Sequence, residues 1–520
     1  MSENTRVVKA AGVVGAATLL SRILGFIRDA VIAWFFGAGF SSDAFIAAFR
    51  IPNLLRRLFA EGSLSSAFIP VFTQYMVRQG QPEAFHLARS AFRLLGVFLI
   101  LVTIGGIALS PWIVKLMAPG FAAGKYSLTV TLTRLMFPYI FFIGLVALCM
   151  GILNVLDHFA APALAPVLLN ISIIGSVLII APYLSVPAIG LAVGVLIGGV
   201  LQLAFQLPVL WRRGFRFWER AKLLHPGLRQ VGTLIPPVIL GGAVYQINIV
   251  IGTILGSLLA EGSVTYLYFA DRLVQFPLGV FAVAAATAVL PSLSRQAASQ
   301  DLEALKDTFG HALRFVFFLS IPAMVGLIVL RAPIVTLLFQ RGEFDAQATR
   351  LTAEALLYYS LGLWAFSAVR IVAATFFAMQ DTRTPVKMAG LSILANVILG
   401  VFLMKPLDHS GLALATALSS ILNLGLLVRA LTIKLGSLGW RSIARSFVRT
   451  LVSSLSMGAA VWAVGLKIIP AQNPALAGLL GGVAGCVIIG ICIYAGVSYV
   501  LKSPELDVVL TEVRKGIGWK

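Results

Sequence analysis

The sequence predicts an all-α polytopic membrane protein of about 14 transmembrane helices. They form two six-helix lobes related by a parallel repeat, with two further helices at the C-terminal end. Three observations lead there. Of the 520 residues 59% are hydrophobic and 12% charged, about half the charged fraction of a soluble protein, and mean hydropathy is +0.96. The apolar runs reach the ~20 residues a membrane helix needs and are too long for the alternating strands of a β-barrel. The basic residues, finally, cluster in every second loop.

That alternation explains the net charge of +20 better than nucleic-acid binding does. Arg6 and Lys9, Arg78, Arg89 and Arg93, then Arg212, Arg213, Arg216, Arg220, Lys222 and Arg229, and later Arg429, Lys434, Arg441, Arg445 and Arg449 belong to one set of loops. The other set holds only Lys115, Lys125, Arg331, Arg341, Lys405 and Lys467. The positive-inside asymmetry places both termini in the cytoplasm and requires an even number of spans.

Span 1 (10–36) is apolar around Arg22, Arg28 and Asp29; no A-x-A cleavage signature follows it, so it is expected to be retained. Span 2 (41–77) carries Asp43, Arg50, Asn53, Arg56, Arg57 and Glu61, with Pro52 and Gly62 as bending points. Span 3 (84–110) is followed by the turn Ala118-Pro119-Gly120. Spans 4 (127–156), 5 (162–181) and 6 (187–211) complete an N-lobe of residues 1–211. Residues 212–228 read as a basic cytoplasmic linker. The C-lobe, 229–433, holds spans 7 (229–259), 8 (263–298), 9 (308–330), 10 (346–379), 11 (385–404) and 12 (410–433), with Asp271 and Arg272 on span 8 and Arg370 on span 10. A second linker, 434–445, leads to spans 13 (446–468) and 14 (475–501) and a cytoplasmic tail, 502–520.

The lobes repeat. Ser66-Ala67-Phe68-Ile69-Pro70 aligns with Thr287-Ala288-Val289-Leu290-Pro291, and Gly190-Leu191-Ala192-Val193 with Gly411-Leu412-Ala413-Leu414, both at an offset of 221; Pro162 pairs with Pro385 at 223. Six spans per repeat give both copies the same orientation, a transporter signature with the substrate site expected between the copies near the midplane.

The charged residues carry the chemistry. One Arg, Lys or Asp at the centre of a membrane helix costs about 2.5–3.5 kcal/mol, so four unpaired arginines would cost roughly 10–14 kcal/mol. They must be paired or face a hydrated cavity. The cations Arg22, Arg28, Arg50, Arg56, Arg57, Arg272 and Arg370 outnumber the anions Asp29, Asp43, Glu61 and Asp271, so pairing cannot neutralise the set. Arginine stays charged when desolvated and binds phosphate through a planar fork, which points to an anionic ligand. Plainer roles compete: Arg57 and Glu61 as an i,i+4 salt bridge, Arg22 or Arg50 snorkelling to an interface, Asp29 and Asp271 as counter-ions. Asp43, Arg50 and Arg57 are seven apart, and Asn53 shares their face; Arg22 and Asp29 are likewise seven apart on span 1, with Arg28 pointing elsewhere.

Enzyme signatures are missing: there is no H-E-x-x-H, Walker A or G-x-S-x-G pattern. His86, His158, His225, His311 and His409 are scattered, and Cys149, Cys486 and Cys492 lie in apolar runs without metal spacing. No metal site is expected.

The chain resembles the lipid II flippases of the MurJ (MviN) type, within the multidrug/oligosaccharidyl-lipid/polysaccharide flippase superfamily. The stretches that carry the likeness are Gly25-Phe26-Ile27-Arg28-Asp29-Ala30, Ser42-Asp43-Ala44-Phe45, Pro52-Asn53-Leu54-Leu55-Arg56-Arg57-Leu58-Phe59-Ala60-Glu61-Gly62, Phe137-Pro138-Tyr139-Ile140, Ala165-Pro166-Val167-Leu168-Leu169-Asn170-Ile171 and Ala270-Asp271-Arg272-Leu273. The resemblance implies a central cationic cavity, alternating access, and a groove for the polyprenyl tail formed by spans 13 and 14. It implies that Arg22, Arg28, Asp43, Arg56 and Arg272 serve the cavity. We add Asn53 to these as expected substrate contacts, with Asp29, Arg57, Glu61, Asp271 and Arg370 as supporting charges. The expected ligand is lipid II or a related polyprenyl-pyrophosphate glycolipid. Membrane lipids are the other expected partners, with no nucleic acid, no cofactor and a monomeric state; energy would come from the membrane potential or a monovalent ion. Gln275 stands where some relatives carry an acid and Arg370 where some carry Lys, and spans 11 and 12 lack the acidic residue a carboxylate-based sodium site needs. Export of another polyprenyl-linked glycan, a multidrug antiporter and a membrane glycosyl- or acyltransferase are the rival readings. The arginine excess argues against the second and the missing catalytic base against the third.

Overall fold

The computed structural model describes residues 3–57, 64–219, 222–469 and 476–516. Among these there is no strand. The helices are α1 (Glu3–Phe36), α2 (Phe40–Leu55), α3 (Leu64–Arg78), α4 (Gln81–Met117), α5 (Ala123–Met136), α6 (Pro138–Val155), α7 (Ala160–Gly175), α8 (Ala188–Arg212) and α9 (Pro226–Ser257). They continue as α10 (Ser263–Pro277), α11 (Ala284–Ala298), α12 (Leu302–Val329), α13 (Arg331–Phe339), α14 (Ala346–Ser360), α15 (Leu363–Ala378), α16 (Arg383–Leu435), α17 (Trp440–Ile468), α18 (Leu476–Val500) and α19 (Pro504–Gly516). Every span expected from the sequence falls on helical backbone where it is described, apart from brief turns. By length and polarity, nine described helices could cross a membrane, or ten if the pair α14 and α15, bent by 42°, is one span. Fourteen is thus the number of segments the sequence marks off, not the number that passes this stricter test.

Part of the difference lies in α16, which counts once but doubles back. Asp408 has φ 47° and ψ −134°, outside the helical region. Ser392 Oγ donates to the Ser419 carbonyl at 2.7 Å. Twenty-seven residues of straight helix would separate those residues by about 40 Å. Gly411 sits against the Leu403 carbonyl so tightly that a Cβ would approach it to 2.2 Å. Spans 11 and 12 are therefore two antiparallel helices joined at Asp408.

The chain packs as two compact units: 1–265 with 342–344, and 266–341 with 345–520. In the first, α1 lies on α7, α7 on α8, and α8 on α6. The α7–α8 contact is close because α8 presents Gly190, Gly194 and Gly198 four residues apart. A Cβ on them would come within 3.0, 2.9 and 3.1 Å of the Cα atoms of Ala181, Ile173 and Leu169. Small residues at that spacing let membrane helices approach backbone to backbone. The core of this unit gathers Phe68, Phe72, Phe85, Leu148, Ile152, Leu210 and Phe215. In the second, α12 packs on α15 and α17, and α17 on α18, around Phe309, Leu313, Ile371 and Phe376.

The duplication is also visible in local turns. After α6, Asp157 has φ 57°, with hydrogen bonds from Asp157 N to Asn154 O and from His158 N to Leu153 O. After α15, Gln380 has φ 61°, with hydrogen bonds from Gln380 N to Phe377 O and from Asp381 N to Phe376 O. Both are left-handed helix terminations of one design, 223 residues apart, each just before Pro162 or Pro385.

At the second turn Asp381 caps α16. Its carboxylate accepts from the Thr384 amide at 3.0 Å, the Thr384 hydroxyl at 2.8 Å and Lys434 Nζ at 2.9 Å. The Thr384 amide, then Lys434, hold its pKa down at about 2. A folded-state pKa below the unfolded value contributes stability that is complete above the unfolded value near 3.8 and is lost as pH falls towards 2. We expect Asp381→Ala to cost about 1 kcal/mol at neutral pH, and the difference from wild type to vanish on acidification. Thermal unfolding in detergent from pH 7 down to about pH 2 checks this; a penalty constant across that range would contradict it.

Candidate functional site

The arginine-bearing helices place their charges in distinct settings. On α1, Arg28 is 6% exposed and Asp29 1%. Arg28 Nε and Nη2 donate to Asp29 Oδ1 at 3.0 and 2.6 Å, and Nη1 donates to Asn170 Oδ1 on α7 at 3.1 Å. The Asn170 amide is itself oriented, because its Nδ2 donates to the Ser21 carbonyl of α1 at 3.1 Å. Neighbours in sequence normally point apart on a helix; here the long arginine folds back over its own counter-ion. Arg28 and Asp29 thus act together, and Arg22, one to two turns earlier, is exposed.

On α2, Asp43 is buried at 1% exposure. Its Oδ2 accepts from Lys125 Nζ of α5 at 3.0 Å and from the Gly262 amide at 2.8 Å; its Oδ1 accepts from the Thr265 amide at 3.0 Å and the Thr265 hydroxyl at 2.7 Å. A carboxylate of α2 therefore caps the N-terminus of α10, where the helix dipole favours negative charge. Lys125 is 7% exposed, packs near the rings of Phe40 and Phe121, and lies 3.6 Å from Glu261 Oε2. Seven residues on, Arg50 Nη1 donates to the Thr253 hydroxyl and, at 3.2 Å, to the Ile249 carbonyl, both on α9.

Half-buried Arg56 directs Nε and Nη2 to Asn53 Oδ1, at 3.1 and 2.9 Å. Asn53, expected as a substrate contact, uses its oxygen to orient Arg56. Arg57 is half-buried beside it, and its expected partner Glu61 lies outside the described residues. In the second unit, Arg272 directs Nε and Nη2 to the Tyr268 hydroxyl at 3.4 and 3.3 Å, with its guanidinium 5.4 Å from the ring centre. Gln275 Nε2 donates to Asp271 Oδ1 at 3.4 Å, so the residue standing in an acidic position is a partner of the adjacent aspartate. Arg370 is exposed. Arg331 turns back to the Ile328 carbonyl at 2.7 Å.

Sequence reasoning did not assign roles to Asn170, Lys125, Thr253, Thr265 or Tyr268. Asn170 and Lys125 left a trace: an amide in the apolar run 162–181, and a lysine in the sparse loop set. Thr265 and Tyr268 left none, because such residues are common in helices.

A sequence profile described as "Lipid II flippase MurJ" matches residues 32–473. The "Probable lipid II flippase MurJ" of Vibrio cholerae is 40% identical over 435 residues, covering 82% of this chain and 83% of that protein. The "Lipid II flippase MurJ" of Burkholderia cenocepacia is 36% identical over 510 residues, covering 94% and 96%. The solved structure "Lipid II flippase MurJ, inward closed conformation" superposes with a TM-score of 0.79 at 27% identity, covering 94% of this chain and 98% of that one. An inward-facing multidrug transporter of the MATE family, 16% identical with a TM-score of 0.68 over 82% of this chain, shares the fold alone. With matches that run through nearly its whole length, this multi-pass membrane protein belongs to the lipid II flippase MurJ family.

Proposed function

We propose that the chain moves lipid II, an undecaprenyl-pyrophosphate-linked peptidoglycan precursor, from the cytoplasmic to the outer leaflet of the bacterial inner membrane by alternating access. Both termini lie in the cytoplasm in this reading. The observation that carries it is Arg28: a guanidinium at 6% exposure on an apolar helix, held in place by Asp29 and Asn170, within a chain of this family. Arg22, Arg28, Arg56 and Arg272 are the groups we assign to the pyrophosphate and sugar headgroup. Asn53 and Asp29 orient two of them, and Asp43 belongs to the structural clasp with Lys125. Phosphate oxygens suit arginine because the fork supplies two parallel charge-assisted donors. The polyprenyl tail stays in lipid, against α17 and α18, and no covalent bond changes. The membrane potential or a monovalent ion drives the cycle.

Native mass spectrometry of the purified protein with lipid II, undecaprenyl phosphate and ordinary anionic phospholipids tests this. We expect lipid II to bind most tightly, and Arg56→Ala to weaken it at least tenfold, the loss of about one charge-assisted hydrogen bond. Equal retention of all three lipids, or no effect of Arg56→Ala, would sink the assignment.

A further inference from the structure

The lipid-handling reading leaves one group of strong donor side chains unused. Glu83 and His86, three residues apart in the first turns of α4, share a helix face. His225, distant in sequence, caps the start of α9. The linker brings it there: Phe215 packs edge-on against Phe85, and Phe217 against Phe92. The His225 ring lies 5.4 Å from the His86 ring and 5.2 Å from Tyr75. Glu83, His86 and His225 can each offer one donor atom such that all three atoms lie within 4.8 Å of one another.

Donors around a tetrahedral zinc ion, with bonds of about 2.0–2.2 Å, are separated by roughly 3.4 Å. Rotamer adjustment closes the difference. Two imidazoles and a carboxylate make up the donor set of three-ligand zinc sites that keep a position for water. Glu-x-x-His spacing on one helix turn delivers two of these donors to the same side. Two further observations fit. His86 Nδ1 is buried without a hydrogen-bond partner, unusual for a buried ring nitrogen. The Glu83 side chain is 46% exposed while that of His225 is 4% exposed, so an ion can enter past the carboxylate.

Without metal, His225 is fully engaged. Its Nδ1 accepts from the Gly227 amide at 3.1 Å, so the ring proton sits on Nε2, 2.9 Å from Glu83 Oε1. An ion bound at Nε2 requires that proton to move to Nδ1. Histidine neither gains nor loses a proton, but the Gly227 amide loses its acceptor.

We propose that Glu83, His86 and His225 form a site for a divalent transition-metal ion such as Zn2+, which fastens the linker to α4 by exchanging the cap of α9 for metal ligation. The site is independent of the lipid II reading.

The full-length protein in detergent, stripped with chelator, is titrated with Zn2+ and Co2+. One tightly bound Zn2+ per chain in native mass spectra, and visible Co2+ bands of a four-coordinate nitrogen–oxygen site, are expected. His86→Ala, which leaves the cap untouched, should weaken metal binding at least tenfold with an unchanged thermal midpoint when metal-free. Glu83→Gln, which can still accept from His225, should weaken it similarly. Lipid II binding by metal-free protein, read in the same spectra, should match wild type in both variants. Zn2+ bound equally tightly by wild type and both variants, or no stoichiometric Zn2+ in wild type, would overturn the site while leaving the lipid reading intact.

Discussion

Replacing Arg28 by alanine is expected to abolish complementation of a flippase-depleted cell. The side chain donates to Asp29 through Nε and Nη2 and to Asn170 through Nη1, in a setting almost closed to solvent. Its loss has two consequences that must be separated. Removing one partner of a buried ion pair leaves the other charge stranded, at about 3–5 kcal/mol. It also removes the donor we assign to the pyrophosphate. Arg28→Ala alone could fail through misfolding. Arg28→Lys tells the effects apart: a lysine still neutralises Asp29 but cannot serve Asp29, Asn170 and a phosphate from one planar fork. We expect Arg28→Lys to accumulate near wild-type level, to bind lipid II at least tenfold more weakly, and to complement poorly. Arg28→Ala with Asp29→Ala removes the stranded carboxylate and should regain protein level without regaining transport. Full complementation by Arg28→Lys would show that only the charge matters, and complementation by the double variant would remove Arg28 from the transport mechanism.

These settings also show which parts of the molecule a sequence can reveal. Helical segments were legible because a bilayer leaves an apolar helix almost no alternative that satisfies its backbone. The turn between spans 11 and 12 was legible from Lys405, Pro406, Asp408 and His409 between two apolar runs, although the backbone there is helical on both sides of Asp408 and only one residue leaves that region. The repeat was legible at Pro162 and Pro385 because both follow the same left-handed termination. The charges on the helices were equally plain, but not their partners. Helix periodicity relates residues three, four or seven apart, and it placed Arg28 away from Asp29; only their adjacency in sequence offered Asp29 as a counter-ion, the role it has. The actual contact is made by a flexible side chain folding back, which periodicity does not encode. Asp43 was visible as an intramembrane acid. Its role was not, since its acceptor sites are filled by groups 82, 219 and 222 residues away. Only the fold brings α5 and the α9–α10 turn to it.

That arrangement carries the second large expectation, a ranking of stabilities: Asp43→Ala is the most damaging, Asp43→Asn intermediate, Lys125→Met the mildest. Asp43→Ala strands Lys125 in a pocket where it is 7% exposed and leaves the Gly262 and Thr265 amides without their acceptor. Breaking a buried pair from one side costs about 3–5 kcal/mol. Glu261 does not rescue the lysine, because its carboxylate is 3.6 Å away and 59% exposed, where water screens the attraction. Asp43→Asn keeps one oxygen for the amides but turns an NH2 group towards a donor, so it removes part of the network and adds a repulsion. Lys125→Met leaves Asp43 with three donors and the N-terminal dipole of α10, enough to hold a carboxylate. If Asp43 and Lys125 are one energetic unit, Asp43→Asn combined with Lys125→Met must cost less than the sum of the single changes, by about 1–3 kcal/mol. Unfolding of the four variants beside wild type, in one detergent at pH 7, gives that coupling directly. Additive penalties would mean that Lys125 and Asp43 act separately, and that the α10 amides alone account for the buried carboxylate.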